Sequence, residues 1–331
     1  MSATHRRPQL PLAAAAVAVL AWGFGPLFVR EIDASASAIV LWRILLALPI
    51  AIGVAYATGG ALSWVLLRRA FMTGVCFALS IVAVFTSFQE TSIANATLIP
   101  ALQPALVLLL AMRMFGERRS RAEVVWAIVA FAGVTVVVLG ADTANASIYG
   151  DVLAVANLVV FTAYFLLAKQ ARTGDVHSWS FLAAVFVVTA VVVVPWSLAV
   201  SGGVEVLHGT DWLFVLALVL LPGMVGHGFM TWAHHYVDVT VTSMLTLANP
   251  VVSIVGAWIL FSEALTPVQL AGAAVVLGAL GVIVRHQRGA RALAAEAALA
   301  GDLLDEAPAL SGVEVGDGTD ADSGEPRRSP N

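Results

Sequence analysis

Residues 103–123 read QPALVLLLAMRMFGERRSRAE, and residues 249–269, which lie 146 positions later, read NPVVSIVGAWILFSEALTPVQ. Both stretches begin with a carboxamide side chain and a proline, continue as a long apolar run, and reach a phenylalanine and a glutamate. Each closes with Ser-x-x-Glu or Thr-x-x-Gln, the capping-box pattern that opens a helix. At an offset of 139, Trp22 also aligns with Phe161 and Arg30 with Lys169. The chain therefore contains two copies of one unit.

The composition places both copies in a membrane. Of the 331 residues, 60% are hydrophobic and only 11% are charged, and the mean hydropathy is +0.91. Soluble domains carry about 25% charged residues, so this composition argues against a soluble enzyme. The net charge of -4 argues against a nucleic-acid partner. Because Cys76 is the single cysteine, no disulfide can form within the chain.

Ten windows have the length of a membrane helix, which needs about 20 mostly apolar residues. They lie near 11–29, 36–57, 70–88, 93–115, 122–140, 150–168, 178–200, 212–234, 240–261 and 267–285. Long alternating strands, which a membrane β-barrel requires, do not occur in the sequence. The sequence therefore predicts an all-α integral membrane protein with ten transmembrane helices, five in each copy.

The odd number of helices in each copy predicts an inverted repeat. The second copy would enter the membrane from the opposite side, an arrangement typical of secondary transporters with a binding site near the midplane. We predict a first repeat over 11–141 and a second, inverted repeat over 148–285. A cytoplasmic N-terminus (1–10) precedes them, and an acidic, disordered tail (286–331) follows.

The distribution of basic residues predicts that both termini are cytoplasmic, because cytoplasmic loops are enriched in Lys and Arg. With the N-terminus inside, only Arg30 falls outside, and Arg43 lies within a span. The basic residues on the inner side are Arg6, Arg7, Arg68, Arg69, Arg113, Arg118, Arg119, Arg121, Lys169, Arg172, Arg285, Arg288 and Arg291. Through residue 291 the chain has 15 basic and 12 acidic residues, and after it 2 and 9. We therefore expect a multi-pass protein of the cytoplasmic membrane.

Three features carry a family resemblance: LWRILLA at 41–47, the two repeated stretches quoted above, and the apolar run from Gly272 to Val284. With these motifs the chain resembles the ten-helix EamA-type members of the drug/metabolite transporter superfamily, over residues 12 to 285. Ile44, Ser262 and the pair His234-His235 depart from the family pattern. The resemblance implies a secondary transporter that exports or exchanges small organic metabolites, such as amino acids or related compounds, or drugs.

Polar groups inside a bilayer are costly, so each one raises a functional hypothesis. Arg43 lies about seven residues inside its helix, where its guanidinium either binds an anion bidentately or bonds to helix-end carbonyls. Aromatic side chains with a polar group suit a metabolite pocket. The alternative for the whole set is packing or interhelical hydrogen bonding. The candidate cavity residues are Trp22, Arg43, Gln103, Asn157, Tyr164, His227, Trp232 and Asn249.

A second set is predicted to act at gates or hinges. Proline removes a backbone hydrogen bond and bends a helix, and polar clusters lie near both membrane faces. The set comprises Gln89, Glu90, Pro104, His234, His235 and Pro250. Since an imidazole titrates near neutral pH, proton coupling stays open as a hypothesis, as does a homodimer. Glu117 and Glu263 are predicted to organise helix ends.

Neither a metal site nor a cofactor is expected. Adjacent histidines on a helix point about 100° apart, so His234 and His235 cannot easily share an ion. The sequence has no phosphate-cradling loop and no nucleophile–base spacing, so ATP-driven transport and enzyme activity are not predicted. Two alternatives remain: a flippase for lipid-linked intermediates, and a non-transporting membrane receptor that uses the acidic tail.

Overall fold

The computed structural model describes residues 9–91, 96–97, 99–116, 120–139, 147–172, 175–261, 266–283 and 285–286. Within those ranges the chain forms helices and connecting turns, without a β-strand. The all-α fold class is therefore confirmed for the described part of the chain. Glu117, Glu263 and the predicted acidic tail after residue 286 lie outside the described residues.

The helices follow one another along the chain with short connections. In the first half they are α1 (Gln9–Gly23), α2 (Gly25–Arg30), α3 (Ala36–Ala57), α4 (Trp64–Glu90), α5 (Gln103–Phe115) and α6 (Arg121–Leu139). In the second half they are α7 (Ile148–Ala171), α8 (Ser178–Ser201), α9 (Asp211–Leu218), α10 (His227–Ala233), α11 (Val239–Leu245), α12 (Asn249–Phe261) and α13 (Pro267–Ile283).

Seven helical segments are long and apolar enough to cross a membrane. They are Leu10–Arg30, Ala36–Ala57, Trp64–Glu90, Ile148–Ala171, Ser178–Ser201, Asp211–Ala233 and Val239–Leu260. Two shorter apolar helices, Pro100–Ala111 and Pro267–Ile283, accompany them. Because these helices lie in both halves of the sequence, the chain is a multi-pass membrane protein.

Two helices extend beyond the predicted windows, because the windows excluded charged residues that a helix accepts readily. The third span was expected to begin near residue 70, but α4 begins at Trp64. The Ser63 hydroxyl accepts a hydrogen bond from the Leu66 N–H at 3.2 Å and caps this earlier start. Arg68 therefore lies inside α4. Lys169, expected in a break, lies in the last turn of α7, where the helix dipole favours a cation.

The predicted capping box at Thr266 forms both of its hydrogen bonds, whereas the one at Ser120 forms the bond from the Ser120 N–H to the Glu123 side chain and directs its hydroxyl to the Ala122 N–H. The Ser120 N–H donates to Glu123 Oε2 at 3.1 Å at the start of α6. At the start of α13 the Thr266 N–H donates to Gln269 Oε1 at 2.9 Å, and the Gln269 N–H donates to Thr266 Oγ1 at 3.2 Å. In both copies the backbone N–H of the first residue thus donates to the side chain three residues later.

The two halves of the chain pack closely against each other. Helix α4 lies along α7 and α8, and α3 lies along α8. Gly74 allows the approach of α4 to α8, because a Cβ at this position would lie 3.0 Å from the Val185 carbonyl oxygen and against Val188. The Thr189 hydroxyl donates to the Gly74 carbonyl at 3.2 Å across the same contact. The largest hydrophobic cluster lies between these helices.

Four irregular segments interrupt the helices around one region of the bundle. Phe24 separates α1 from α2, a 3-10 turn covers Pro100–Leu102, a π-helical segment covers Val219–Gly226, and another 3-10 turn covers Thr246–Ala248. Pro222 explains the π segment, because proline has no N–H to donate to the carbonyl four residues earlier. Irregular backbone inside a membrane is tolerated where it lines a cavity, and these segments surround one.

Candidate functional site

A cavity of about 180 Å³ lies between the irregular segments. Its walls come from both halves of the chain, with Arg43 and Gln103 from the first and Asn157, His227 and Asn249 from the second. Pockets for drug-sized ligands typically measure about 300–1,000 Å³. The cavity therefore suits a smaller molecule.

Arg43 brings a buried cation to the cavity. Its side chain is only 6% exposed, and its buried Nε has no hydrogen-bond partner. The guanidinium carbon lies 5.3 Å from the ring centroid of Phe85 and 5.9 Å from that of Phe77. Aromatic faces attract a cation but accept no strong hydrogen bond. The guanidinium is thus held in place with donor capacity left unused.

The two carboxamide side chains of the repeated motif, Gln103 and Asn249, also have hydrogen-bonding atoms without a partner. Gln103 Oε1 accepts a hydrogen bond from the Thr246 hydroxyl at 3.2 Å, while Gln103 Nε2 is buried without a partner. Asn249 Oδ1 is likewise buried without a partner. Asn157 differs, because its Oδ1 accepts a hydrogen bond from the Ser80 hydroxyl at 2.7 Å. Two residues that line the cavity therefore each hold a buried amide atom without a partner, a donor on Gln103 and an acceptor on Asn249.

His227 is held in the cavity wall by aromatic neighbours. Tyr164 lies behind it, and its hydroxyl is 3.1 Å from His227 Nδ1. The Trp22 and Phe77 rings lie 5.0 and 4.7 Å from the imidazole, measured between centroids. The Trp22 indole N–H donates to the Pro222 carbonyl at 3.2 Å. Trp22 thereby joins the first membrane helix to the π segment.

The C-terminal ends of α7 and α10, here called the closed end, are linked by hydrogen bonds. Lys169 Nζ donates to the carbonyls of His234 and Val237, both at 2.8 Å. Arg172 Nε donates to the Thr231 carbonyl at 3.2 Å, and Nη2 donates to the Ser178 hydroxyl at 2.9 Å. These bonds tie the end of α7 to the end of α10.

The histidine pair lies just past the end of α10 and belongs to this closed end. The His234 ring packs against Phe165 with centroids 4.5 Å apart, and His235 Nδ1 lies 2.9 Å from the Arg172 carbonyl oxygen. Burial, together with the nearby charges of Lys169 and Arg172, lowers the pKa of His234 to about 3. Burial also lowers the pKa of Arg172. The His234 imidazole is therefore neutral near neutral pH.

The structure brings six of the eight predicted cavity residues to the cavity wall and places two elsewhere. The six are Trp22, Arg43, Gln103, Asn157, His227 and Asn249. Tyr164 supports His227 from behind. Trp232 lies near the closed end, with its ring 5.2 Å from that of Tyr236.

The predicted gate and hinge residues are spread over both ends of the bundle. Gln89 joins the end of α4 to the start of α3: its Nε2 donates to the Ala34 carbonyl, and its Oε1 accepts from the Ala36 N–H, both at 2.8 Å. The Glu90 carbonyl accepts a hydrogen bond from the Ser147 hydroxyl. Pro250 lines the cavity, and Pro104 lies in the first turn of α5.

Sequence reasoning missed the aromatic wall of the cavity. Phe77, Ile81, Phe85 and Phe88 recur at helical spacing along one face of α4 and line the cavity. Their spacing was visible in the sequence, but a lipid-facing stripe of a membrane helix looks the same. Ser253 was missed as well. Its hydroxyl donates to the Gly23 carbonyl at 2.7 Å, and a contact between residues so far apart in the sequence leaves no pattern in the spacing.

Comparisons with known proteins give the same architecture. The sequence profile of the EamA-like transporter family matches residues 9–139 and again residues 148–285. An uncharacterized transporter from Archaeoglobus fulgidus is 26% identical over 235 residues, covering 69% of this chain and 82% of the relative. A crystal structure of a protein with 21% sequence identity superposes with a TM-score of 0.69, over 84% of this chain and 97% of the other. That likeness concerns the fold.

Proposed function

Because the chain belongs to the EamA-like transporter family, we propose that this membrane transporter moves small organic metabolites across the cytoplasmic membrane by alternating access. The solutes are amino acids or related compounds, or drugs, and the direction is export or exchange. We further propose ten helices in two inverted repeats, 11–141 and 148–285. The short N-terminus (1–10) and the acidic tail (286–331) then lie in the cytoplasm.

The observation that carries this proposal is the cavity shared by the two halves of the chain. Trp22, Arg43 and Gln103 come from the first repeat, whereas Asn157, His227 and Asn249 come from the second. A site between inverted repeats and beside broken helices is where secondary transporters bind their substrates. Movement of one repeat against the other would open and close such a site.

The two ends of the bundle supply a candidate for one of the alternating states. With both termini inside, the cavity lies in the outer half of the membrane, and the end closed by Lys169 and Arg172 faces the cytoplasm. An inward-open state then requires Lys169 to release the carbonyls of His234 and Val237. We assign the inner gate to His234 and His235, the outer gate to Gln89 and Glu90, and the hinges to Pro104 and Pro250.

Transport in proteoliposomes tests the proposal. Purified protein is reconstituted with a panel of amino acids, amines and aromatic acids, with and without a pH gradient. We expect at least one solute to enter protein-containing vesicles faster than protein-free vesicles, and a dependence on the gradient would support proton coupling. If no solute moves but a polyprenyl-linked lipid changes leaflet, the protein is a flippase. If neither moves, the transport proposal fails.

A further inference from the structure

We propose that the cavity selects small organic anions, with a carboxylate bound by Arg43 and an apolar or aromatic body packed on the phenylalanines of α4. This inference rests on the proposed transport function for its site, and it holds for either direction and any driving force. It excludes the cationic amines that the general proposal still allows.

The positive charge of Arg43 in the cavity wall favours an anionic ligand. Arg43 is nine-tenths buried, and the lining residues that the structure describes include no Asp or Glu to neutralise it. A buried charge without a counter-ion is costly and strongly favours an incoming opposite charge. An ammonium group would instead meet an uncompensated guanidinium in a low-dielectric site, where like-charge repulsion is weakly screened.

The donors without partners indicate that the anionic group of the ligand is a carboxylate. Arg43 Nε and Gln103 Nε2 are both donors, and both are buried without a partner. An ionised carboxylate only accepts hydrogen bonds and can take several of them, so it matches such donors. Asn249 also lines the cavity, and its buried Oδ1 has no partner, which matches a hydroxyl or amide N–H on the body of the ligand.

The walls and the volume of the cavity indicate what the body of the ligand should be, apart from its carboxylate. Phe77, Phe85 and Phe88 form one wall of the cavity, and Phe161 and Trp22 also line it. Flat rings of this kind bind an aromatic or apolar body. The volume of about 180 Å³ accommodates a body of approximately one ring. Aromatic monocarboxylates therefore combine all the required features.

A charge series on one aromatic body tests the inference directly. Phenylacetate, phenylacetamide and phenethylamine have nearly the same shape but carry a negative, zero and positive charge. Binding to the detergent-purified protein is followed by tryptophan fluorescence, and uptake is followed in proteoliposomes. We expect phenylacetate to bind more tightly than the amide and the amine not to bind.

Variants separate the role of Arg43 from a general loss of structure. Arg43→Gln should weaken phenylacetate binding by about tenfold or more, the usual effect of losing hydrogen bonds to a charged group. Arg43→Lys should retain part of the binding. The matched control is Arg113→Gln, an exposed arginine in the last turn of α5, and it should bind phenylacetate like the unmodified protein.

A second variant keeps the test decisive if Arg43→Gln does not fold. Gln103→Glu places a carboxylate in the cavity and should lower the affinity for phenylacetate. The inference is overturned if the amine binds as well as the acid, if no member of the series binds, or if a folded Arg43→Gln protein keeps its affinity. Transport of other panel solutes in that case would leave the transport proposal intact, so the two failures are distinguishable.

Discussion

Arg43 and Arg172 are both buried, with 6% and 4% of the residue exposed, but their guanidinium groups have different surroundings. Arg172, at the closed end, donates to a backbone carbonyl and a hydroxyl, and only its Nη1 lacks a partner. Arg43, in the cavity wall, has aromatic faces beside it and an unpartnered Nε. One arginine completes the fold, and the other is left available to a ligand.

The position of each arginine along its helix explains this difference. Arg172 follows the end of α7 and reaches the last turn of α10, where carbonyls have lost their helical partners and can accept a hydrogen bond. Arg43 lies inside α3, and backbone carbonyls in the middle of a helix are already engaged. A buried arginine near helix ends therefore finds acceptors within the protein, whereas one in mid-helix does not.

Substitution of each arginine should produce opposite phenotypes, which is the largest effect we expect. Arg43→Gln should reduce transport of the preferred solute by about tenfold or more, with little change in the melting temperature. Arg172→Gln should cost about 1–3 kcal/mol of stability because the Thr231 carbonyl is left without its donor. Thermal unfolding in detergent and uptake in proteoliposomes measure the two effects. Equal loss of stability in both variants would refute the comparison.

Thiol labelling should distinguish the two ends more directly. In a Cys76→Ala background, Phe88→Cys lies in the cavity wall, whereas Phe165→Cys lies against His234 in the closed end. We expect a membrane-impermeant thiol reagent to label the first position much faster than the second. Cys76→Ala alone is the control. Comparable labelling rates at the two positions would mean that the end assigned as closed is open to water.

The pH dependence of stability should arise partly from His234. Its pKa is about 3 in the folded protein and 6.5 in the unfolded chain, so between these values the unfolded state binds a proton that the native state does not. Stability must therefore fall as the pH decreases through this window, by up to about 1.4 kcal/mol per pH unit. His234→Gln should flatten the decline, as measured by the melting temperature at a series of pH values. An unchanged slope would show that His234 is solvated.

The smallest effects should come from the two capping boxes, which touch neither arginine. Thr266→Ala removes the hydroxyl that accepts from the Gln269 N–H and should cost about 1 kcal/mol. Ser120→Ala should cost less, because the Ser120 hydroxyl accepts from the Ala122 N–H instead of completing the box with Glu123. Both proteins should transport normally. A transport defect in either would link the start of α6 or α13 to the cavity.

Much of the fold could be predicted because its signals are local. Seven of the ten apolar windows coincide with helical segments long enough to cross a membrane, and the patterns at Ser120 and Thr266 located two helix starts. The start of α4 was missed because Arg68 and Arg69 lower the apolar content of a window without breaking the helix. The π segment was missed because its cause, Pro222, is a common residue in membrane helices and does not by itself specify the kind of break.

The candidate site could be predicted only in part, because polar side chains reveal their chemistry but not their partners. Arg43, Gln103 and Asn249 were identified from their presence in apolar helices. Trp232 looked equally suitable, but its place near Tyr236 depends on tertiary packing. The difference between Arg43 and Arg172 is likewise not local, since it depends on which helix ends lie nearby.

The π segment between α9 and α10 also fixes the direction in which His227 points. An α-helix turns about 100° for each residue, and a π turn accommodates one residue more than an α turn. In the described structure the Pro222 carbonyl accepts from the His227 N–H, five residues on, and from the Trp22 indole. Regular α-helical winding through Val219–Gly226 would rotate the imidazole by about 100°, away from the Tyr164 hydroxyl. The orientation of the His227 side chain is thus determined by the π-helical segment that precedes it.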